Sequence, residues 1–316
     1  MDRFHRRLNF FFCIFLALVA FALAACGKKK MQAGFEEGRS IFLLYGPRKP
    51  FFDVKELLLP AAEKGHAEAM CYYGIACGAR SGEAAKWFRK AADKGNGFGM
   101  VLLGECYERG LVEIADPAEG DTLKREGIKV LRHAANQDDV DALIDLALCY
   151  RLGIGVEQDA KKAFELLCKA AEKGSTCAMI GIGACYMEGE GVEQDAKKGF
   201  KWFHKAADKG NVLAMDAIGF CYMEGEGVEK DAKEGLKWYR KAAGKGNTGA
   251  MTAIGLCYME GKDVKKDNKE AVKWFRKAAA DESSSFLRSR FLEKIAEDTS
   301  DPEAAKLAKE ALEELK

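Results

Sequence analysis

The chain is 316 residues long and carries 50 Lys and Arg against 49 Asp and Glu, a net charge of +1. Its first 25 residues hold Arg3, Arg6 and Arg7 against Asp2, which leaves the remainder at −1. That balance lacks the basic excess of a nucleic-acid binder and turns attention to protein partners.

In chain order, residues 1–25 have the parts of an export signal. Arg3, Arg6 and Arg7 form a basic start, and residues 10–22 are an apolar run without charge. Leu23, Ala24, Ala25 and Cys26 close it, a run that resembles the lipobox of bacterial lipoproteins. The resemblance implies that the signal is cut before Cys26, whose thiol carries diacylglycerol while the new amino terminus is acylated. Lipid on Cys26 would then hold the chain on a membrane, at about 0.8 kcal/mol per buried methylene. Read instead as an uncleaved anchor, residues 8–25 are barely long enough to span a bilayer. Gly27 in place of Asp implies passage to the outer membrane, facing the periplasm. Lys28, Lys29 and Lys30 follow where cations meet anionic headgroups. Residues 26–50 read as the lipidated cysteine, a tether and an N-terminal cap. Gly34, Gly38, Gly46, Pro47 and Pro50 interrupt them, and the apolar run 41–45 could cover the first repeat.

Repetition begins at Phe51. Residues 51–80 form a first unit, with Leu57 at a recurring tryptophan position and Pro60 inside a helix that is nevertheless expected. Residues 81–110 form a second, with Trp87 restored. Cys106 and Cys149 are 43 residues apart, so seven extra residues fall near 111–125. That stretch is polar and holds Pro117 and Gly120, which predicts an inserted loop. Residues 126–159 are the most divergent unit, with Val130 for tryptophan and Ala147 for glycine.

Residues 160–195, 196–231 and 232–267 then spell one sentence three times, opening at Ala160, Ala196 and Ala232 with a period of 36. A period of that size denotes a solenoid, and one elongated domain fits better than two compact ones. In the middle copy Asp195 is placed to cap a helix along which Ala196, Phe200, Phe203 and Ala207 recur at helical spacing. Lys209 and Gly210 end it. A second helix is expected from Val212 to Met223, followed by Gly225 and a return loop. Ala206, Ala207 and Gly219 lack bulk where helix backbones approach, whereas Trp202, Phe203 and Tyr222 are expected to fill wider gaps. Residues 268–280 repeat the first helix, and 281–316 read as divergent C-terminal capping helices, the last from Pro302.

The recurring Gly-x-x-Tyr-x-x-Gly-x-Gly-Val-x-x-Asp, followed by Trp-(Phe/Tyr)-x-Lys-Ala-Ala-x-x-Gly-Asn, resembles the Sel1-like repeat, a relative of the tetratricopeptide repeat. The match is tight over 160–278 and looser over 51–110 and 126–159. It implies an all-α, right-handed α/α superhelical solenoid of about seven helical hairpins that binds other proteins.

The eleven cysteines include Cys13 in the signal and Cys26. Cys106, Cys149, Cys185, Cys221 and Cys257 share one position of the second helix. Equivalent atoms of stacked helices lie ~10 Å apart, and a disulfide needs Cα atoms within about 7 Å, so these five read as small buried thiols. Cys71, Cys77, Cys168 and Cys177 fall off that register, and a Cys168–Cys177 bridge stays open. Cysteine-rich relatives join the two helices of each repeat by disulfides and are associated with penicillin binding and β-lactam hydrolysis. Their paired positions correspond here to Ala171 and Met179, Ala207 and Met215, and Ala243 and Met251, so the pairing cysteines are missing. An enzyme of that type, acting on β-lactams or cell-wall peptides, is one alternative function.

No catalytic, cofactor or metal-binding set is recognisable. His66, His133 and His204 fall in different repeats, with no His-Glu-x-x-His, Gly-x-Ser-x-Gly or phosphate loop. Glu188, Glu190 and Glu193, like Glu224, Glu226 and Glu229, lack the pattern of a calcium loop. What does recur is lysine. Lys201, Lys237 and Lys273 align on the first helix, as do Lys205, Lys241 and Lys277, and they form the candidate partner-binding face. The reading is a non-enzymatic protein–protein scaffold at a bacterial cell envelope that holds a protein or peptide ligand. A surface-exposed effector meeting host proteins is the further alternative.

Overall fold

The computed structural model describes residues 54–78, 81–111, 117–261, 264–279, 285–298 and 300–314. The export signal, Cys26, Lys28 to Lys30 and the cap at 41–45 lie outside the described residues. Every regular element among the described residues is an α-helix, and within each of two units consecutive helices pack on one another. Residues 54–211 and 212–314 fall in two compact units.

The first unit runs α1 (Val54–Glu63), α2 (Ala67–Ala76), α3 (Gly82–Ala92), α4 (Gly97–Glu108), α5 (Pro117–Asn136), α6 (Val140–Leu152), α7 (Ala160–Glu172), α8 (Thr176–Glu188) and α9 (Ala196–Asp208). Odd-numbered members open hairpins and are amphipathic: α7 buries only Ala163, Leu167, Ala170 and Ala171, one stripe at helical spacing. Even-numbered members are buried all round, as in α8, where every residue from Cys177 to Cys185 is inside. Asp159 and Asp195 cap α7 and α9 by accepting from the Lys162 and Lys198 amides at 2.9 and 3.0 Å, each cap contributing about 1 kcal/mol. Gly189 ends α8 with φ +74°, a conformation that admits glycine without strain. The expected helix through Pro60 is present, since α1 is only ten residues long and carries the proline in its second half.

Hairpins are joined by one repeated contact. Phe203 on α9 lies over Gly183 on α8, and a Cβ on that glycine would fall 2.5 Å from the ring. Phe88 on α3 meets Gly74 on α2 in the same way, also at 2.5 Å. A Cβ on Gly199 would come within 2.8 Å of the Gly183 carbonyl oxygen, so backbone approach and ring seat are one contact. The expectation that Trp202 fills a gap beside Phe203 is corrected. Neighbouring residues on a helix point about 100° apart, and only Phe203 is buried while Trp202 stays half-exposed. Where Ala147 replaces the glycine, the buried residue at the aromatic position is the smaller Leu167.

The inserted loop at 111–125 is also corrected. From Pro117 onward the chain is helical, and α5 has 20 residues where α7 and α9 have 13, so the seven extra residues extend a helix. Pro117 occupies the first turn, where its missing N–H costs nothing. Seven residues make two turns, which keeps the same face turned to α4. There the helices touch at backbone distance: a Cβ on Gly104 would lie 2.4 Å from the Gly120 carbonyl oxygen, and one on Gly127 2.4 Å from that of Gly97. One buried polar bond ties non-consecutive hairpins, the Tyr72 hydroxyl of α2 donating to Asp145 Oδ1 of α6 at 2.7 Å.

The second unit comprises α10 (Val212–Glu224), α11 (Ala232–Gly244), α12 (Thr248–Glu260), α13 (Asn268–Ala279), α14 (Ser285–Ala296) and α15 (Pro302–Glu314). The ring seat recurs, Tyr239 over Gly219 and Phe275 over Gly255, each at 2.6 Å. At the end Phe275 stacks on Phe291 at 5.3 Å. Leu292 and Ile295 of α14 and Ala304, Ala308 and Ala311 of α15 close that core. Asp301 caps α15 through the Ala304 amide at 3.0 Å.

Gly219→Ala is expected to destabilise the protein by about 1–3 kcal/mol in chemical denaturation, because the methyl group overpacks against Tyr239. Adding Tyr239→Leu should recover part of that loss, and purely additive costs in the double variant would refute the seat.

Candidate functional site

The amphipathic design leaves function to the outer faces of the hairpin-opening helices and to the loops. Charge there is segregated to a degree that the net value conceals. Helix α9 carries Lys197, Lys198, Lys201 and Lys205 against Asp208. Helix α11 carries Lys233, Lys237, Arg240 and Lys241 against Glu234, and α13 carries Lys269, Lys273, Arg276 and Lys277 against Glu270. The partner helices α8, α10 and α12 have no basic residue at all, only Glu188, then Asp216 and Glu224, then Glu260.

The six lysines of the candidate face are all exposed, yet they are not equivalent. Lys237 Nζ bonds Glu234 at 2.7 Å and Lys273 Nζ bonds Glu270 at 3.0 Å, pairs set by i,i+3 spacing within one helix. Glu234 accordingly pushes the Lys237 pKa up. Lys201 has no carboxylate at that spacing, because residue 198 is itself lysine. The second column is placed differently. Lys205, Lys241 and Lys277 hold their ammonium groups over the rings of Trp202, Trp238 and Trp274, at 3.9, 3.9 and 4.6 Å from the centroids. Lys90 stands over Trp87 at 3.9 Å. The four indoles are half-exposed. Such an interaction at an exposed site contributes only about 0.5–1 kcal/mol, so it orients the lysine without committing its charge. The i,i+3 Trp/Lys spacing was visible in the sequence, but the outward turn of the tryptophans was not.

Several other cations are tied to neighbouring side chains. Arg240 donates to the Tyr258 hydroxyl at 2.8 Å, Arg132 to that of Tyr150 at 3.2 Å, and Arg151 pairs with Glu190 at 2.8 Å. The histidines lie on separate elements: His66 precedes α2 and pairs with Glu68, His133 meets Gln137, and His204 stacks edge-on against Phe200 at 4.7 Å. Among the described residues no three His, Cys, Asp or Glu side chains gather as metal ligands would, and no helix is long and apolar enough to cross a membrane.

Cys106, Cys149, Cys185, Cys221 and Cys257 are buried thiols, and Cys168 and Cys177 are not bridged to each other. Burial pushes the Cys106 pKa up to about 11 and that of Cys185 to about 12. Cys149 and Cys221 are driven up by burial as well. None is therefore a ready thiolate nucleophile. Two carboxylates are buried on second helices. Asp145 takes the Tyr72 bond, whereas Asp216 is 1% exposed with its Oδ1 unpartnered, and burial holds its carboxyl pKa well above the ordinary range. Neither was anticipated from the sequence.

Hairpins of this length, closed on each other through a ring and a glycine, define a helical-repeat solenoid. The family model described as the Sel1 repeat matches residues 67–96, 98–120, 140–175, 178–211, 212–247 and 248–283. These segments cover more than half of the chain, which belongs to the Sel1 repeat family. Repeats of this family are generally protein-interaction scaffolds and typically non-enzymatic. Among solved structures, a Sel1 repeat protein from Oxalobacter formigenes is 30% identical over 79% of this chain and 96% of its own, with a TM-score of 0.47. A protective antigen of uropathogenic Escherichia coli with an SLR fold is 24% identical over 92% of this chain and 64% of its own, with a TM-score of 0.48. Helicobacter pylori cysteine rich protein B is 22% identical over 41% of this chain and 93% of its own, with a TM-score of 0.33. Comparison with curated proteins returned no match.

Two outcomes follow from the buried groups. A thiol reagent at pH 8 should label the partly exposed Cys77 and Cys168 in the folded protein and reach the five second-helix cysteines only on unfolding; peptide mapping of labelled sites checks this. For Asp216 the folded pKa lies above the unfolded value of about 3.9. Its contribution is thus full below that value and is lost as pH rises through the folded pKa. Thr252 holds the equivalent position, and the stability gained by Asp216→Thr should grow between pH 4 and pH 8 in a series of thermal melts. A gain independent of pH would contradict a protonated Asp216.

Proposed function

We propose that this protein is a non-enzymatic scaffold that holds an acidic segment of a partner protein, tethered to a bacterial cell envelope by lipid on Cys26. The observation that carries the binding reading is the four-to-one excess of cations on α9, α11 and α13, set beside half-exposed tryptophans. Arg and Trp are enriched and energetically dominant in protein interfaces, and a cationic face raises the encounter rate with an acidic partner. Family membership supports the scaffold reading. The tether is supported by the order of basic start, apolar run and Leu23-Ala24-Ala25-Cys26. An outer-membrane position facing the periplasm is part of the same proposal.

The test has two arms. Cys26→Ser should abolish incorporation of labelled palmitate and release the chain from the membrane fraction of expressing cells. Cross-linking of the native chain to envelope extract should trap a protein that the Lys201→Glu, Lys237→Glu, Lys273→Glu triple variant loses, with affinity falling at least tenfold and with weaker salt dependence. Undiminished capture by the triple variant, or turnover of a chromogenic β-lactam by the pure protein, would overturn the scaffold reading.

A further inference from the structure

We propose that, within residues 212–314, the Trp238–Lys241 and Trp274–Lys277 pairs are the contact points for an extended acidic segment with apolar side chains between its carboxylates. The inference rests on the scaffold reading and names the chemistry of its partner.

The choice of these two lysines follows from what the other cations are already doing. On α11, Lys237 is held by Glu234 at 2.7 Å and Arg240 by the Tyr258 hydroxyl at 2.8 Å, and Lys233, in the first turn, has no tryptophan three residues before it. On α13, Lys273 is held by Glu270 at 3.0 Å, Lys269 pairs with Glu303, and Arg276 pairs with Glu314. Lys241 and Lys277 have no carboxylate partner among the described residues. Each instead rests on an indole face, Lys241 at 3.9 Å and Lys277 at 4.6 Å from the ring centroid. Glu270 also accepts from Trp274 Nε1 at 3.0 Å, which fixes that indole's orientation. The ammonium groups are therefore positioned before any ligand arrives, and a carboxylate that meets them orders little further side-chain motion.

The same residues specify what approaches. One face of each indole lies under its lysine, and the half-exposed remainder offers an apolar shelf for a partner side chain next to the bound carboxylate. Lys241 and Lys277 hold equivalent positions on α11 and α13, one 36-residue period apart. A segment with carboxylates at every third position presents them about 10 Å apart along an extended chain, so that successive carboxylates can meet the two lysines in turn. A nucleic acid fits less well. Glu234 and Glu270 sit two helical turns from these lysines on the same helices and would repel a continuous phosphate backbone, and each ammonium group occupies a ring face on which a base would stack. Solvation alone does not call for a tryptophan three residues before each lysine. The pairing recurs as Trp87–Lys90 and Trp202–Lys205 in the other unit, where each pair offers the same chemistry by itself.

The test uses the full chain and a fluorescent twelve-residue peptide with Glu at every third position and Leu between, followed by anisotropy. The native chain should bind it more tightly than a peptide of equal composition with its four Glu residues in one block. Lys241→Glu with Lys277→Glu should weaken binding at least tenfold. Trp238→Leu with Trp274→Leu should weaken it at least fivefold, with an unchanged helical spectrum confirming the fold of each variant. Full binding by either double variant, absence of peptide binding, or tighter binding of a single-stranded oligouridine would overturn the inference. The scaffold reading stands apart from these results: it falls if the Lys201, Lys237 and Lys273 reversal leaves partner capture untouched or if the pure protein turns over a chromogenic β-lactam.

Discussion

An aromatic ring packed against a glycine holds successive hairpins of this protein together. At Gly74, Gly183, Gly219 and Gly255 the ring of the following hairpin occupies the space where a β-carbon would stand. The contact is demanding on both sides. Burying a side chain of this size stabilises the fold by roughly 1.5–3 kcal/mol, yet the ring finds room only because the facing residue has none of its own. It also sets the register, since the ring must arrive at the glycine of the preceding second helix and nowhere else along it. The 36-residue period is the outcome of that requirement repeated. Two junctions depart from it: with Ala147 in place of glycine, Leu167 in place of phenylalanine keeps the summed volume near constant, and Gly104 is met by the Gly120 backbone of α5 instead of a ring.

That interlock divides labour between the two helices of a hairpin. In α8, α10 and α12 the second helix is buried along nearly its whole length, so its sequence is nearly free of charge and changes little between these copies. The first helix buries one stripe, and its remaining surface is free to carry cations. A near-zero net charge is thus compatible with strongly basic first helices, because the acidic residues sit in the return loops and at the ends of the second helices. Summed charge bears on solubility, whereas recognition depends on where each sign is placed.

The regular copies were legible because local chemistry specifies them. Asp195 before an amphipathic run, and a glycine after it, mark a helix on capping grounds alone, and both ends fall where expected. The stretch 111–125 was misread for the same local reason. Pro117 and Gly120 are turn residues by propensity, but a proline in the first helical turn is harmless and a glycine facing Gly104 admits close packing. Only the count of seven, two helical turns, pointed the other way. The lysine faces were half legible. Their alignment was plain, and the i,i+3 partners Glu234 and Glu270 stood in the sequence, but the distinction between ion-paired and ring-held lysines depends on which way the tryptophans turn. Contacts such as Tyr72 to Asp145, 73 residues apart, arise from stacking geometry and leave no local trace.

The cysteines illustrate how the interlock shapes residue choice where no chemistry is required. Five of them recur just before the second-helix tyrosine, two residues beyond Gly104, Ala147, Gly183, Gly219 and Gly255, where the enclosed helix admits a small apolar group. A thiol satisfies that demand, being compact, weakly polar and tolerant of a hydrogen-bond-poor interior. Enclosure then suppresses its reactivity, since desolvation raises the pKa at Cys106, Cys149, Cys185 and Cys221 alike. None of the five is joined in a disulfide. A cysteine-rich solenoid can therefore carry its thiols reduced by geometry rather than by the redox conditions around it, and the same packing that seats the rings is what protects them.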